Sequence, residues 1–166
     1  MSKSSTVTVR AHPAAGLTSV SGVLQVHAET LTVETDTRFQ LVDITERLTN
    51  LVRGLGVREG MANLLSLHTT CSVLINESQA ALVADIKRFL EHVVDRDAEW
   101  MHNDPAHSDC DRFNADSHLR ALLLGQTLTL QISGGEVVLG QWQRILLAEL
   151  DGPRSRSVRL QVMGVA

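Results

Sequence analysis

The chain has 166 residues, of which 43% are hydrophobic and 20% are charged, and its formal net charge is -4. Such a length and composition fit one globular domain with its own core. The acidic balance argues against binding along a nucleic-acid backbone, and no apolar run approaches the roughly 20 residues that a membrane-spanning helix needs. Two cysteines make no disulfide framework, so we expect a reduced, cytoplasmic setting, with neither nucleic acid nor membrane as a partner.

The N-terminal segment differs in composition from the remainder of the chain. Residues 1–21 are rich in Ser, Thr and Ala, carry a few basic side chains, and lack the apolar core of a secretory signal. We interpret them as a disordered leader or an artificial remnant, and we predict that residues 22–166 form a single domain.

The first part of this domain predicts a strand and then a helix. Residues 22–35 are rich in β-forming residues, but their alternation slips once, which predicts a bulge between the apolar pairs Val26, Ala28 and Leu31, Val33. In residues 43–56, Asp43 and Glu46 resemble a capping box, and Gly56 suits a helix end. Helical spacing places five apolar side chains on one face of this segment, namely Ile44, Leu48, Leu51, Val52 and Leu55.

The segment 61–76 predicts one continuous strand with a polar second half. Its odd positions, which include Thr69 and Cys71, suit the core. Its even positions carry the polar side chains of the opposite face, namely His68, Thr70 and Ser72. That face is either a strand surface in solvent or the wall of a ligand site. Cys71 is predicted to be a small core residue, because a reactive thiol needs exposure and a positive neighbourhood.

A second helix is predicted for residues 79–94. Asn76 is a suitable N-cap with Gln79 three residues on, and Glu77 then lies near the positive end of the helix. The expected buried stripe consists of Leu82, Ile86, Phe89, Leu90 and Val93.

The polar segment 95–116 holds the densest group of metal-ligand side chains in the chain. Two of its histidines and one in the next helix, His102, His107 and His118, match no zinc-finger or HExxH spacing. Imidazoles and carboxylates are nevertheless the ligands that divalent transition metals select. The segment is therefore either a functional, metal-binding loop or a solvated surface loop.

A short helix is predicted for residues 117–125, with Asp116 or Ser117 as its cap and Gly125 as its end. Arg120 in this helix could bind a carboxylate or phosphate, or it could pair with Asp116.

Three β segments close the chain, at 127–133, 136–150 and 157–165, and Gly140 interrupts the second of them. Together with the earlier elements, they predict an α+β fold. Its sheets are expected to be largely antiparallel or mixed, with helices packed on one side.

The polar side chains of these last segments leave two possibilities open. Strand alternation places Gln143 and Glu149 on a common face, which either meets solvent or lines a polar cavity. Arg154 and Arg156 are a weak indication of anion binding, and we favour a solvated turn for them.

Four motifs, in this order and spacing, resemble the YjbQ-like family, whose members are often described as secondary thiamine-phosphate synthase enzymes. They are HTTCSVLINE, HND followed by NADSHLRALLLG, LGQWQRILLAELDGPR and a final strand. The resemblance runs from about Val23 to the C-terminus. The chain departs from the family pattern at Gln141, where Thr is usual, and at Cys71, where Ala or Ser is common.

The resemblance implies a compact α/β sandwich that assembles as a homotrimer, with polar clusters near subunit boundaries. It also implies weak thiamine-phosphate synthase activity, which joins a hydroxymethylpyrimidine diphosphate to a thiazole phosphate and releases pyrophosphate. A small phosphorylated metabolite is therefore the expected partner. Neutralisation of the departing phosphate by cationic side chains or a metal is the expected catalytic device.

Candidate roles follow from the resemblance and from the chemistry of the residues. His68 and Glu77 are the general acid/base candidates. A divalent ion, Zn or Mg, would be held by His102 and His118, with His107 as a third ligand. Substrate contacts are assigned to Thr69, Ser72, Asn76, Asn114, Arg120, Gln143 and Glu149. Two rival functions use the same residues: a metal- or anion-binding protein without dedicated catalysis, and a metal-dependent hydrolase.

Overall fold

The computed structural model describes residues 19–166, so most of the predicted leader lies outside the described residues. Eight strands, three α-helices and one short 3-10 helix follow one another in this part of the chain. In chain order they are β1 (Leu24–Glu34), β2 (Gln40–Asp43), α1 (Thr45–Gly54), β3 (Glu59–Ser66), β4 (Cys71–Asn76), α2 (Ala80–Val93), the 3-10 helix (Met101–Asn103), α3 (Ala115–Leu124), β5 (Thr127–Ser133), β6 (Glu136–Val137), β7 (Arg144–Glu149) and β8 (Ser155–Val165).

The strands form two antiparallel sheets, which confirms the predicted α+β class. The larger sheet has the order β1-β8-β3-β5-β6, and the smaller has the order β2-β7-β4. None of the helices within residues 19–166 has the length and apolarity required to cross a bilayer.

The central strand β7 is buried on both faces, and this explains its continuous apolar sequence. Ile145 and Leu147 face the larger sheet and helix α1 in the main core. Ala148, on the other face of β7, packs in a second core with Leu90 of α2 and Ala121 of α3. The molecule therefore stacks the large sheet, the small sheet and the helix pair α2 and α3.

Strand β1 has no bulge, so that prediction is wrong. Its pairing with β8 is unbroken from Leu24, opposite Val165, to Glu34, opposite Ser155. Leu31 is buried in the core, whereas Val26, on the opposite face, is 54% exposed. The slip in the sequence pattern arises because apolar residues occupy both faces of this strand.

The segment 61–76 is two strands in different sheets, and the prediction of one strand is wrong. A turn at residues 67–70 separates β3 from β4. Ser72 in β4 is buried rather than on an outward face, and Thr70, the last residue of the turn, is buried as well. Cys71 lies in the core as predicted, and burial raises the pKa of its thiol to about 11. Thr69, which was expected to point inward, is exposed in the turn.

Helix α2 differs from its prediction in cap and in burial. Its N-cap is Gln79, whose side-chain Oε1 accepts a hydrogen bond from the Leu82 N–H at 2.8 Å. Asn76 instead accepts the N–H of Glu77 at 2.9 Å. Of the predicted stripe, only Leu90 is buried, Leu82 and Ile86 are half-buried, and Phe89 and Val93 are exposed.

Helix α3 begins two residues earlier than predicted. Asn114 is its N-cap residue, and Asp116 and Ser117 lie within its first turn rather than capping it. Its end at Gly125 is as predicted, with a φ of 82° that favours glycine.

Candidate functional site

Asp151 is the centre of a polar cluster at the turn between β7 and β8. Its carboxylate accepts hydrogen bonds from Arg38 Nη1 at 3.0 Å and from Asn114 Nδ2 at 2.9 Å. It also accepts one from Arg154, and Arg112 Nη1 lies 3.6 Å away. Asp151 is only 5% exposed. We call these five residues the Asp151 cluster.

The β1–β2 loop and the β7–β8 turn are held close enough to build this cluster. The N–H of Gly152 donates to the main-chain oxygen of Arg38 at 3.1 Å. A Cβ atom at Gly152 would lie 2.6 Å from the oxygen of Thr37, so only glycine allows this approach. The loop therefore delivers the Arg38 side chain to Asp151.

A second buried carboxylate, Asp116 of α3, extends the network. Arg38 Nη2 donates to Asp116 Oδ1 at 3.2 Å, and Arg120 Nη1 lies 2.8 Å from Asp116 Oδ2. Of the two predicted alternatives for Arg120, pairing with Asp116 is therefore the one observed. The network as a whole places four guanidinium groups around two carboxylates, which leaves an excess of positive charge.

Two histidines adjoin this network. The side chain of Asn103 accepts the N–H of Ala115 at 3.0 Å and so ties the 3-10 helix to the start of α3. The rings of His102 and His118 consequently meet edge to face, with their centroids 5.0 Å apart. Burial and the neighbouring His102 lower the pKa of His118, although Asp151 and Asp116 oppose them. The net effect favours the neutral form of His118.

The third predicted metal ligand, His107, is engaged elsewhere. Its Nδ1 lies 2.9 Å from Asp104 Oδ2 within its own turn. Residues 19–166 hold no group of three or more His, Cys, Asp or Glu side chains placed to bind a metal ion. Two imidazoles supply half of the four ligands usual for zinc, and Mg²⁺ prefers oxygen ligands. The donor set of this part of the chain thus does not complete a site for either ion, and a metal role for the three histidines stays a prediction.

Glu149 and Arg156 form a buried ion pair, and the expectation of a solvated turn at Arg156 is wrong. Arg156 is 1% exposed and Glu149 is fully buried. Arg156 donates from Nε at 2.6 Å and also from Nη2 to the Glu149 carboxylate. Thr35 and the N–H of Asp151 donate to the same carboxylate, at 2.9 and 2.8 Å. Glu149 therefore holds the strands beside the cluster together.

Burial, charge and hydrogen bonding together determine the pKa of Glu149. Burial alone would raise its pKa, but the hydrogen bonds from Arg156 and Asp151 outweigh burial and lower it. Arg154 is likewise paired rather than free in solvent, because its guanidinium group binds Asp151.

The two candidates for acid/base chemistry flank strand β4. His68 lies in the turn before it, and its Nε2 accepts the N–H of Ser157 at 2.8 Å. Burial and the nearby Arg156 lower the pKa of His68, with Glu149 opposing. Glu77 follows the strand directly and is half-buried. Their catalytic roles stay predictions, and a role for His68 as base requires the Ser157 hydrogen bond to break.

The remaining substrate-contact candidates are scattered. The hydroxyl of Ser72 is buried and donates to the main-chain oxygen of Ala121 at 3.3 Å. Thr69 and Asn76 are exposed. Gln143 lies in an exposed turn, where its Oε1 accepts the N–H of Gly140 at 2.7 Å. Gln143 and Glu149 thus share no strand face, because the interruption at Gly140 leaves Gln143 outside β7.

Sequence reasoning identified Asn114 but missed Arg38, Arg112 and Asp151. The one available signal for Asp151 was a carboxylate at the end of a buried strand, directly before a Gly-Pro turn. No local pattern marks Arg38, because its partner Asp151 is 113 residues away in sequence.

Comparison with known proteins places these features in a family. The family model described as "UPF0047 protein YjbQ-like" matches residues 29–165. The chain belongs to the YjbQ-like UPF0047 family. This YjbQ-like chain is 40% identical over 141 residues to a UPF0047 protein of Methanothermobacter thermautotrophicus, an alignment that covers 85% of this chain and 94% of that protein. It is 29% identical over 136 residues to the UPF0047 protein YugU of Bacillus subtilis, covering 82% and 98% of the two chains.

Solved structures support the same relationship. The crystal structure of a YbjQ-like protein of unknown function from Sulfolobus solfataricus P2 superimposes with a TM-score of 0.79 at 31% identity. That match covers 86% of this chain and 99% of the other. A hypothetical protein from Aeropyrum pernix K1 gives a TM-score of 0.76 at 33% identity, covering 83% and 98%.

Proposed function

We propose that this YjbQ-like protein is a small enzyme that binds a phosphorylated metabolite at the Asp151 cluster. The observation that carries the proposal is the convergence of Arg38, Arg112 and Arg154 on one carboxylate. One carboxylate does not neutralise three guanidinium groups, and guanidinium is the side-chain group best shaped to bind phosphate. Arg112 is 54% exposed, so its donors are accessible to a ligand.

The reaction that we propose is of the thiamine-phosphate synthase type, as the family resemblance implies. The thiazole nitrogen forms a bond to the methylene carbon of the pyrimidine diphosphate, and the carbon–oxygen bond to pyrophosphate breaks. Negative charge develops on the departing phosphate oxygens, where fixed cations stabilise it. His118 lies near the two carboxylates of the network, Asp151 and Asp116, and we keep His68 and Glu77 as the acid/base candidates.

The assay is pyrophosphate release from the purified protein with both substrates present. Arg112→Ala removes a cation with one ion-pair contact and is expected to lower kcat/KM about tenfold, the value of one charge-assisted hydrogen bond. Arg159→Ala, on an exposed position of β8, is the matched control and should keep wild-type turnover. No release above background, or equal rates in both variants, would contradict the proposal.

Glu77→Gln tests the acid/base assignment separately. If Glu77 transfers a proton, the variant loses about 100-fold in kcat while its unfolding curve is unchanged. Unchanged turnover removes Glu77 from the mechanism and leaves the phosphate site standing.

A binding protein without dedicated catalysis is the second candidate, and the contact between the His102 and His118 rings is what favours it. Metal analysis of the purified protein, followed by turnover with and without a chelator, separates the two. Bound metal without metal-dependent turnover favours the binding protein. Metal-dependent release of inorganic phosphate from one substrate alone would instead indicate the hydrolase. For the enzyme, we also propose a homotrimer, which the resemblance implies, and a cytoplasmic location, for which the cysteine content is the support.

A further inference from the structure

The imidazole ring of His68 takes the place of a main-chain acceptor where β3 and β8 part. The pairing of these two strands ends at Ser66, opposite Val158. One residue further on, the N–H of Leu67 donates to the main-chain oxygen of Ser157 at 3.0 Å. In an antiparallel ladder, Ser157 would return its own N–H to a main-chain oxygen. It donates instead to His68 Nε2 at 2.8 Å, so a side chain accepts the last hydrogen bond of the ladder.

This hydrogen bond requires a neutral imidazole. A main-chain N–H can only donate, so His68 Nε2 must carry no proton, and the neutral ring then holds its proton on Nδ1. In the imidazolium form both ring nitrogens carry a proton. The proton on Nε2 would then face the N–H of Ser157, and the two donors would repel each other. Protonation of His68 and the hydrogen bond from Ser157 therefore exclude each other.

The surroundings of the ring also favour its neutral form. Burial lowers the pKa of His68 most, and the guanidinium group of Arg156, from β8, lowers it further. The carboxylate of Glu149, from β7, acts in the opposite direction. The thiol of Cys71, at the start of β4, has a pKa of about 11 and carries no charge near neutral pH. The ring is therefore held in the form that accepts the hydrogen bond.

Longer hydrogen bonds hold the end of this turn, which comprises residues 67–70. The main-chain oxygen of Thr70 accepts the N–H of Leu150 and a hydrogen bond from Arg156 Nη2, both at 3.3 Å. The hydrogen bond from Ser157, at 2.8 Å, is shorter than either. The strands themselves are held by eight residue pairs between β3 and β8. Loss of the hydrogen bond from Ser157 is thus expected to release the turn and to leave the strands paired.

We propose that His68 is an acid-sensitive latch, which holds this turn against β8 while its imidazole is neutral and releases the turn on protonation. In the released turn the ring is solvated and takes up a proton near its ordinary pKa of 6.5, whereas the closed turn lowers this pKa. The latch is therefore closed above pH 6.5 and opens increasingly as the pH falls below that value. The inference goes beyond the proposed function and does not depend on it, because it concerns a hydrogen bond within the fold.

Amide hydrogen exchange of the full-length protein, followed by NMR, tests the latch. The measured quantity is the protection of each amide, which is the ratio of its exchange rate in an unstructured chain to its observed rate. Between about pH 8 and about pH 5, the protection of the Ser157 amide should fall about tenfold, because opening takes up a proton. The amides of Asn63 and Gln161, which pair within the ladder, should keep their protection. The nitrogen signals of the ring should place the proton of His68 on Nδ1 at the upper pH.

Two variants separate His68 from the other titrating groups. The new side chain in His68→Gln can accept the N–H of Ser157 and does not titrate, so protection of that amide should no longer depend on pH. His92→Gln, at an exposed position in the last turn of α2, is the matched control and should keep the wild-type dependence on pH.

Four results would each overturn the proposal. The first is protection of the Ser157 amide that does not change with pH in the wild-type protein, and the second is an equal change in His68→Gln. The third is a parallel loss of protection at Asn63, which would show that the sheet opens as a whole. The fourth is a proton on His68 Nε2 at the upper pH.

Discussion

At the scale of single residues, Asp151 holds the polar network together. Arg38, Arg112 and Arg154 approach each other because its buried carboxylate lies between them. Removing a buried carboxylate destabilises a protein, because its cationic partners are then left unpaired where water solvates them poorly. The same arrangement leaves the arginines with donors to spare, which is why we assign the phosphate site to it.

Asp151→Asn is therefore expected to destabilise the fold. Arg38 and Arg154 are about 30% exposed, so solvent screens part of the loss, and we expect about 2 kcal/mol in the free energy of unfolding. Urea denaturation measures it. Asp85→Asn, at an exposed ion pair on α2, is the control and should change stability by less than about 0.5 kcal/mol. Equal stability of the two variants would contradict the role given to Asp151.

The buried ion pair of Glu149 and Arg156 predicts how the stability of the fold changes at acid pH. The pKa of Glu149 is lowered in the folded state from its ordinary value of 4.5. Its contribution to stability is therefore complete above pH 4.5 and is lost as the pH falls through the lower folded pKa. Urea midpoints measured from pH 6 down to pH 3 should fall mainly below pH 4.5. The fall should be shallower in Glu149→Gln. A parallel fall in both proteins would show that other groups dominate.

At the scale of elements, β3 and β8 pair through two facing glycines. Gly60 lies opposite Gly164, and a Cβ atom at Gly60 would meet the main-chain oxygen of Met163 at 2.2 Å. No side chain fits there without moving the backbone, so the central pairing of the large sheet depends on these positions.

Gly60→Ala is expected to cost about 3 kcal/mol in the free energy of unfolding, because the added methyl group overlaps backbone atoms. Gly54→Ala is the matched control, since a Cβ atom there meets nothing within 4 Å. Being helical, that variant should be neutral or more stable by about 0.5 kcal/mol. Thermal unfolding of both variants measures these changes in stability. A Gly60→Ala protein as stable as the wild type would mean that the register between β3 and β8 differs.

The elements also show what local patterns predict and what they miss. Helices α1 and α3 follow helical spacing and end near the expected glycines. The segment 61–76 was predicted as one strand, but β3 and β4 belong to different sheets. The alternation of apolar and polar residues does not show where the chain turns from one sheet into the other. Phe89 and Val93 continue an apolar stripe that the fold leaves exposed. Period and composition predict elements, but tertiary placement decides burial.

At the scale of the whole molecule, the candidate site forms where all the layers meet. Arg38 comes from the loop between a large-sheet strand and a small-sheet strand, Asp151 from the turn that returns to the large sheet, and Asn114 from the start of α3. Such long-range contacts leave no mark in a local window of sequence. The α+β class could be predicted from the order of elements, whereas the arginine cluster could not.

The central claim is that the Asp151 cluster binds phosphate groups, and calorimetric titration with pyrophosphate tests it most directly. We predict saturable binding to the wild-type protein, unchanged binding to Arg159→Ala, and binding about tenfold weaker to Arg112→Ala. Absence of saturable binding to the folded wild-type protein, or equal affinity in all three, would contradict the claim.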